Sequence, residues 1–165
     1  MDKTNTKPIK EVVLEKTYDS PIEKVWEVWT MPEKIKKWWG PNDVTIPDCE
    51  VDLKVGGKYN IVMEAGEAMG PNKGTLWPMV GQITVIKPNS QLSYDAQAWT
   101  EGDKEETMID QTTEVTFTKE NDKTKVKVKA VIHKTGPKAG MAVEGMQYGF
   151  TQQLEKLGNF LAGKK

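Results

Sequence analysis

The residue types that most often carry out covalent chemistry are scarce in this chain, which has one histidine, His133, and one cysteine, Cys49. A nucleophilic triad needs a base, usually histidine, beside its nucleophile. Strand alternation puts His133 on the same face as Lys127 and Lys129, where we expect it to be exposed near a strand end. Cys49 has no chemical partner nearby in sequence and is interpreted as a small strand residue. We therefore predict that neither residue is needed for activity.

Carboxylates are more numerous, and three strand carboxylates are candidate catalytic groups: Glu64, Asp95 and Glu114. General acid–base catalysis would need one of them in a pocket with a tuned pKa. The alternation of side chains along a strand places Glu64 on the outer face of the sheet. It does not assign a face to Asp95 or Glu114. Glu50 and Asp52, spaced i, i+2, do not match a calcium loop. One histidine and one cysteine cannot make a standard zinc site, and the C-terminal glycines form no nucleotide-binding motif. The sequence therefore predicts no metal and no cofactor.

Composition narrows the partners. The formal net charge is −1 and all 23 basic residues are lysine, whereas arginine's planar guanidinium is the usual reader of guanine and phosphate. Nucleic acid is therefore not expected.

A single cysteine excludes an intramolecular disulfide. The N-terminus has no apolar signal core, and no apolar run approaches the ~20 residues of a membrane span. We expect a cytoplasmic protein with one domain over 1–165 and an ordered core over about 9–162. The oligomeric state stays open.

Two capping patterns predict two short helices after a first strand at 11–18. In "SPIE", Ser20 is expected to cap the first helix and Glu23 to reach back to it. In "TMPE", Thr30 and Glu33 are expected to play the same roles for the second helix. These patterns predict that both helices lie close together, before the main run of strands.

The second helix ends in a pair of tryptophans, Trp38 and Trp39. Both lie at helical spacing from Ile35, so we predict that at least one is buried between this helix and the sheet. Gly40 follows at once and suits the left-handed conformation that ends many helices. The pair is therefore predicted to be part of the core or of a cavity rim.

Six strand-like segments occupy about 44 to 135, separated by clusters of turn residues. In order they are "VTIPDCEVDL", "KYNIVMEA", "MVGQITVIK", "QLSYDAQAW", "QTTEVTFTK" and "KVKVKAVIHK". The segment from about 141 to 162 has its large apolar residues at helical spacing. The order predicts an α+β fold in which a strongly curved antiparallel sheet wraps around a long C-terminal helix.

Five segments give the chain a family resemblance: "SPIEKVWEVWT", "PEKIKKWWGP", "VDLKVGGKYNIVM", "GQITVIKPNSQLSY" and "YGFTQQLEKLGNFLA". They resemble the START-like helix-grip (SRPBCC) superfamily, in the branch similar to the C-terminal domain of the ATPase activator of the ninety-kilodalton heat-shock chaperone. The resemblance implies the helix-grip fold, usually with a cavity between sheet and helix. It implies no single activity, because the activities of these proteins vary.

Tryptophan and methionine supply much of the apolar bulk, with six and eight copies. Small-molecule sites are mostly apolar, and methionine suits a pocket that adapts its shape. Alternation and the resemblance together give a candidate set of ligand-binding residues on the concave face and the closing helix. It consists of Trp39, Tyr59, Ile61, Met63, Met79, Gly81, Ile83, Tyr94, Met146 and Phe150. The opposing interpretation is that these side chains fill the space and leave no usable cavity.

Three functions stay open from sequence. The first is binding of a small hydrophobic or amphipathic molecule without catalysis. The second is an enzyme on the same fold, resembling polyketide cyclases or hydrolases, which a buried carboxylate facing the cavity would favour. The third is a chaperone- or partner-binding module, for which the segment 65–79 with Met69 and Trp77 is the candidate surface. We expect this segment to fold over the cavity mouth instead.

Overall fold

The computed structural model describes residues 9–40 and 43–163, apart from the side chains of residues 68, 69 and 141. The strands are β1 (Lys10–Tyr18), β2 (Val44–Val51), β3 (Tyr59–Ala65), β4 (Leu76–Lys87), β5 (Gln91–Ala98), β6 (Ile109–Glu120) and β7 (Lys123–Thr135). The helices are α1 (Ile22–Thr30), α2 (Pro32–Trp38), α3 (Lys104–Thr107) and α4 (Gly140–Leu161), with a 3₁₀ segment at Glu67–Asn72. The α+β class and the predicted order are confirmed; α3 is an additional short turn between β5 and β6.

All the strands join one antiparallel sheet in the order β1-β7-β6-β5-β4-β3-β2. The strands from β2 to β7 are sequential neighbours, and β1 pairs with β7 so that Val12 lies opposite Ala130. Register shifts interrupt three of the ladders, including those in β4 and β6. Such irregularities bend a strand and increase its twist. The sheet curls into a half-barrel, and the buried leucines of α4 pack against its concave face.

The paired glycines make the sharp turn between β2 and β3. Gly56 has φ +84°, a conformation that side chains disfavour. A Cβ on Gly57 would collide with the carbonyl oxygen of Asp52. The turn also extends the sheet, because the Gly56 N–H donates to the Ile83 carbonyl at 2.8 Å and the Ile83 N–H donates to the Gly57 carbonyl at 2.9 Å. The turn is therefore held against β4 at the point where the ladder shifts register.

Both short helices form where predicted, but the predicted caps are wrong. The N-cap of α1 is Pro21 rather than Ser20, and no side chain caps the helix. The N-cap of α2 is Met31, because Thr30 is the last residue of α1. The Thr30 hydroxyl donates to the Trp26 carbonyl at 2.9 Å, so it is not free to cap the next helix. Each helix thus begins one residue later than the capping pattern requires.

The tryptophan pair at the end of α2 is buried, as predicted. Trp38 is 0% exposed and Trp39 is 7% exposed. The Trp38 Nε1 donates to the Val28 carbonyl at 2.8 Å, and the Trp38 ring meets Trp29 edge to face at a centroid distance of 4.7 Å. This aromatic group joins the two short helices to the main core.

Among the described residues, none of the helices combines the length and the apolarity that spanning a membrane would require.

Candidate functional site

A cavity of about 280 Å³ lies between the concave face of the sheet and α4. We call it the central cavity. From the sheet it is lined by Ile61, Met63, Met79, Tyr94, Ala98, Ile109, Gln111, Thr113 and Val128. From the helices it is lined by Trp29, Trp39, Ala142, Gly145, Met146, Gly149, Phe150 and Gln153. Its surface is almost entirely apolar, which is typical of a small-molecule site.

The structure brings seven of the ten sequence-predicted residues to the wall of the central cavity. They are Trp39, Ile61, Met63, Met79, Tyr94, Met146 and Phe150. Tyr59 and Ile83 are fully buried in the core beneath the wall and do not line the cavity. Gly81 is also absent from the wall, and a Cβ there would lie 2.7 Å from the Tyr59 carbonyl oxygen. Gly81 is therefore needed for close backbone packing, and a large residue at this position would strain the sheet.

Small residues on α4 leave the space open. Ala142, Gly145 and Gly149 lie on the helix face that borders the cavity, at a spacing of three and four residues. A Cβ at Gly145 would meet no described atom within 4 Å outside the backbone of its own helix. Farther along the same helix, Leu154 and Leu157 are buried against the sheet. The first half of α4 thus covers a void, whereas its second half fills the core.

Aromatic rings form the floor of the central cavity and the layer beneath it. Trp29 meets Trp39 edge to face at a centroid distance of 5.8 Å, and Trp39 meets Tyr59 in the same way at 6.1 Å. Tyr59 then packs on Tyr94 at 4.5 Å. The Tyr59 hydroxyl donates to the Trp29 carbonyl at 2.8 Å, which ties β3 to α1. Such edge-to-face packing favours a rigid wall.

Two hydrogen bonds from α4 fix the position of Trp39. The Gly40 N–H donates to Gln153 Oε1 at 3.0 Å, and Lys156 Nζ donates to the Trp39 carbonyl at 3.2 Å. Burial lowers the pKa of Lys156. Gly40 has φ +86°, as its place after the helix predicts. A Cβ there would lie 2.6 Å from Val44 Cγ2, so only glycine fits without displacement.

Three residues of the wall carry buried polar atoms that lack a hydrogen-bond partner. These atoms are Trp29 Nε1, Gln111 Oε1 and Thr113 Oγ1. The residues are 1%, 6% and 2% exposed, respectively. Buried polar groups are nearly always paired, and each exception calls for an explanation. Each of the three atoms is almost inaccessible to solvent, so the atoms lie behind the apolar surface of the cavity rather than on it.

The central cavity has no obvious acid or base for neutral pH. Its wall, among the described residues, contains no carboxylate, lysine, histidine or cysteine. Burial raises the pKa of Tyr94, and an interaction with the Thr113 hydroxyl offsets part of that rise. The distance and angles between these two groups do not meet the geometry of a hydrogen bond. None of the candidate acids Glu64, Asp95 and Glu114 reaches the cavity wall. A proton-transfer role for this cavity therefore has no support from its side chains.

A second cavity of about 240 Å³, the outer cavity, adjoins the central one. The two share four lining residues: Met63, Ala98, Ile109 and Ala142. The outer cavity adds Trp77, Trp99 and Lys138, the last of which lies 3.8 Å from Glu106 in an exposed ion pair. Trp77 lines the outer cavity, which agrees with the expectation that the segment 65–79 lies near the cavity. The Met69 side chain lies outside the described residues. The outer cavity thus borders the central cavity on the side of Trp77 and Trp99.

His133 and Cys49 lie away from both cavities. The expectation that His133 is exposed is wrong, because it is half-buried and its Nε2 lies 2.9 Å from Thr112 Oγ1. Since the Thr112 hydroxyl donates to Asp95 Oδ1 at 2.6 Å, it accepts from His133. Burial raises the pKa of Cys49 to about 11, which keeps it a thiol at neutral pH. Within the described residues, no group of three or more side chains suits a metal ion.

Sequence reasoning missed the wall residues of β6 and α1 and the small wall residues of α4, although it predicted Met146 and Phe150 on the same helix. The signal for β6 was available: Val115 and Phe117 are buried, and stepping back by two gives Thr113, Gln111 and Ile109. Because Gln111 and Thr113 are polar, the sequence pattern does not indicate that this face of β6 points inward. The helical spacing of Val25, Trp26 and Trp29 predicts that Trp29 lies on the core face of α1. Trp29 is indeed buried, and it also borders the cavity.

Comparison with known proteins supports the same architecture. A crystal structure of a protein from Chromobacterium violaceum has a TM-score of 0.73 at 19% identity, over 92% of this chain and 96% of that chain. One from Nitrosomonas europaea has a TM-score of 0.73 at 22% identity, over 93% and 94% of the two chains. A solution structure from Arthrobacter aurescens has a TM-score of 0.71 at 19% identity, over 99% and 90%. Identities this low show a shared fold and nothing more.

No curated protein matches the chain. The family model described as Activator of Hsp90 ATPase homolog 1-like protein matches residues 19–162. This match covers α1 to α4 and the strands β2 to β7, so it includes every residue that lines the central cavity. The protein therefore belongs to the family of Activator of Hsp90 ATPase homolog 1-like proteins, as the sequence resemblance indicated.

Proposed function

We propose that this protein binds a small hydrophobic or amphipathic molecule in the central cavity, and that it does so without catalysing a reaction. The single observation that carries the proposal is the open apolar space of about 280 Å³ at the centre of the fold. Protein interiors are close-packed, with few voids larger than a water molecule. The side chains around this space lack packing partners on one side, and an apolar ligand would supply them.

The size of the central cavity bounds the ligand. An engineered cavity of about 150 Å³ holds benzene, so about twice that volume suits a molecule of two fused rings. Such a molecule removes roughly 250 Å² of apolar surface from water, which is worth about 6 kcal/mol and corresponds to a Kd of tens of micromolar. Naphthalene is therefore a suitable test ligand.

The outer cavity supports a route for entry. It adjoins the central cavity across Met63, Ala98, Ile109 and Ala142, which include two small side chains and one flexible methionine. The first half of α4 lies above this shared wall and contributes Gly145 and Gly149. A movement of the Met63 side chain or of the start of α4 would connect the two cavities.

The enzyme alternative lacks the groups that it would need. A cyclase or hydrolase of the predicted kind requires a positioned acid or base. The described wall has only Tyr94 as an ionisable group, with a pKa raised by burial. Partner binding, including binding to a chaperone, remains the alternative if the cavity takes up nothing.

The substitution Gly145→Leu tests the proposal. Gly145 lines the central cavity, and a Cβ there meets no described atom within 4 Å outside its own helix backbone, so we expect the leucine side chain to enter the space without a clash and to block uptake. The matched control is Gly140→Leu on the same helix, where a Cβ is equally unobstructed but which does not line the cavity. Titration with naphthalene, followed by the fluorescence of the wall tryptophans, should show binding to the wild type and to Gly140→Leu but not to Gly145→Leu.

Two results would contradict the proposal. Failure of the folded wild type to bind naphthalene would leave the central cavity unused, and function would then lie on the outer surface. Binding that survives unchanged in Gly145→Leu would place the naphthalene site elsewhere in the molecule.

A further inference from the structure

The outer cavity differs from the central cavity in having a charged side chain on its wall. Among the described residues that line the two cavities, Lys138 is the one charged side chain, and it lines only the outer cavity. The Lys138 side chain is 66% exposed. A lysine can lay its methylene stem along apolar surface while its ammonium group stays in water. The outer cavity therefore combines an apolar wall with a cation that a ligand can reach.

The backbone of Lys138 is held in place beside the outer cavity. The Lys138 N–H donates to the Glu106 carbonyl at 2.6 Å, and the Gly136 N–H donates to the Met108 carbonyl at 2.8 Å. These two bonds tie the segment before α4 to the end of α3. The next residue, Ala139, is buried and also lines the outer cavity. The stem of Lys138 thus starts from a fixed point, and its exposed end can adjust to a ligand.

The counter-ion of Lys138 is distant. Lys138 Nζ lies 3.8 Å from Glu106 Oε2, which is beyond hydrogen-bond distance, and the Glu106 side chain is 45% exposed. An exposed ion pair of this kind contributes little to stability. Glu106 does not line either cavity, whereas Lys138 does. A carboxylate that arrives through the outer cavity would therefore compete with Glu106 for Lys138.

The two cavities adjoin closely enough for one molecule to extend from one into the other. Their shared wall consists of Met63, Ala98, Ile109 and Ala142. Ala142 follows Lys138 by four residues, and both line the outer cavity. A ligand body that contacts Ala142 from the central cavity is thus separated from Lys138 by the outer cavity. Methionine side chains are flexible, so a displaced Met63 would let a narrow chain pass.

We propose that the ligand is an amphipathic carboxylate. Its apolar body occupies the central cavity, a short chain crosses the outer cavity, and its carboxylate pairs with Lys138. The proposal rests on the ligand-binding function argued above and adds the chemical class of the ligand and a residue that binds its head group. A carboxylate inside the uncharged central cavity would lose its hydration, whereas at Lys138 it keeps contact with water. The competing explanation is that Lys138 is only a solvated surface residue, in which case the charge of the head group would not affect binding.

Three matched ligands separate these explanations. Each has a naphthalene body on a four-carbon chain, and the chain ends in a carboxylate, a hydroxyl or an ammonium group. Calorimetric titrations at neutral pH and low ionic strength compare them, because salt screens exposed charges. We expect the carboxylate ligand to bind about threefold more tightly than the alcohol, and the amine to bind more weakly than the carboxylate by at least as much. Added salt should reduce both differences.

Variants assign the preference to Lys138. Lys138→Met keeps an unbranched side chain and removes the charge, so it should abolish the preference for the carboxylate over the alcohol. Glu106→Gln removes the competing carboxylate and should increase that preference. The matched control is Lys134→Met, which removes the same charge from an exposed lysine that lines neither cavity. It should keep the wild-type preference.

The substitution Gly145→Leu locates the body of the ligand. Because Gly145 lines the central cavity, this variant should lose binding of the carboxylate ligand as well as of naphthalene. In the wild type, naphthalene should compete with the carboxylate ligand. Carboxylate binding that survives in Gly145→Leu would place the body outside the central cavity and overturn the inference.

The remaining outcomes distinguish this inference from the function on which it rests. If naphthalene binds but the carboxylate ligand binds no more tightly than the alcohol or the amine, the ligand-binding function stands and the carboxylate inference is overturned. An equal effect of Lys138→Met and Lys134→Met would likewise overturn it. If neither naphthalene nor any of the three matched ligands binds to the folded wild type, both proposals fail together.

Discussion

At the scale of single residues, the adjacent tryptophans Trp38 and Trp39 serve different parts of the molecule. Trp38 is fully enclosed and bonded to Val28, whereas one side of Trp39 borders the central cavity. The difference follows from the end of α2, since Trp38 is its last helical residue and Trp39 already has extended backbone. Trp38 packs beneath the two short helices, and Trp39 points toward α4.

This difference predicts unequal effects of truncation. Trp38→Ala should lower the free energy of unfolding by about 3–5 kcal/mol, as is typical of a core tryptophan. Trp39→Ala should cost less, because part of its ring already faces open space, and it should also weaken naphthalene binding. Urea denaturation and naphthalene titration of the two variants measure both effects. Losses below about 1 kcal/mol for both would mean that the pair is not part of the core.

Three buried tyrosines predict a loss of stability at alkaline pH. Burial raises the pKa values of Tyr18, Tyr59 and Tyr94 above the ordinary value. The unfolded chain therefore releases these phenolic protons at about pH 10 while the native protein retains them. The stabilisation is complete below about pH 10 and declines as pH rises further. Cys49 acts in the same direction, and Lys156, whose pKa is lowered, acts in the opposite one.

Urea denaturation from about pH 8 to about pH 11 measures this decline. Tyr18→Phe is the informative variant, because it removes one of the three phenols together with its 2.8 Å hydrogen bond to the Leu154 carbonyl. Its stability should be lower near neutral pH, and its decline with rising pH should be shallower than that of the wild type. Equal slopes would show that Tyr18 ionises as freely in the native protein as in the unfolded chain.

At the scale of the elements, the sequence predicted the strands well because alternation is a local signal. β7 is an example, with Val126 and Val128 buried on one face and Lys127 exposed between them. The caps of α1 and α2 were not predictable in the same way, because a threonine that could cap α2 instead bonds back within α1. Local patterns fix the type of an element more firmly than its first residue.

Glycines at the ends of α2 and along α4 predict opposite responses to alanine. Gly40→Ala should destabilise the protein by about 2–4 kcal/mol, because it combines a left-handed backbone with a clash against Val44. Gly145→Ala should stabilise it by up to about 1 kcal/mol, because a Cβ there meets nothing and alanine favours helix. The free energy of unfolding of the two variants provides the comparison. Stabilisation by Gly40→Ala would contradict the close packing described for this turn.

At the scale of the whole molecule, the candidate site arises where five strands, α1, the end of α2 and α4 leave a gap that no single segment reveals. The sequence indicated which faces of β3, β4 and α4 are apolar, and seven of its ten candidate residues meet at the cavity wall. It did not indicate that the space is open, since that depends on the packing of α4 over β6. Nor did it indicate that Gln111 and Thr113 face inward, because polar residues conceal the alternation of β6.

The most direct measurement of the central claim uses the methionine methyl groups as reporters of the cavity. Met63, Met79 and Met146 line the central cavity, whereas Met31 is exposed between the two short helices. In protein labelled with ¹³C at the methionine methyls, titration with naphthalene should shift the three cavity signals along one saturable curve and leave Met31 unchanged. The same titration of Gly145→Leu should leave all four signals in place. Unmoved cavity signals in the folded wild type, or a shift of Met31 as large as theirs, would contradict the account.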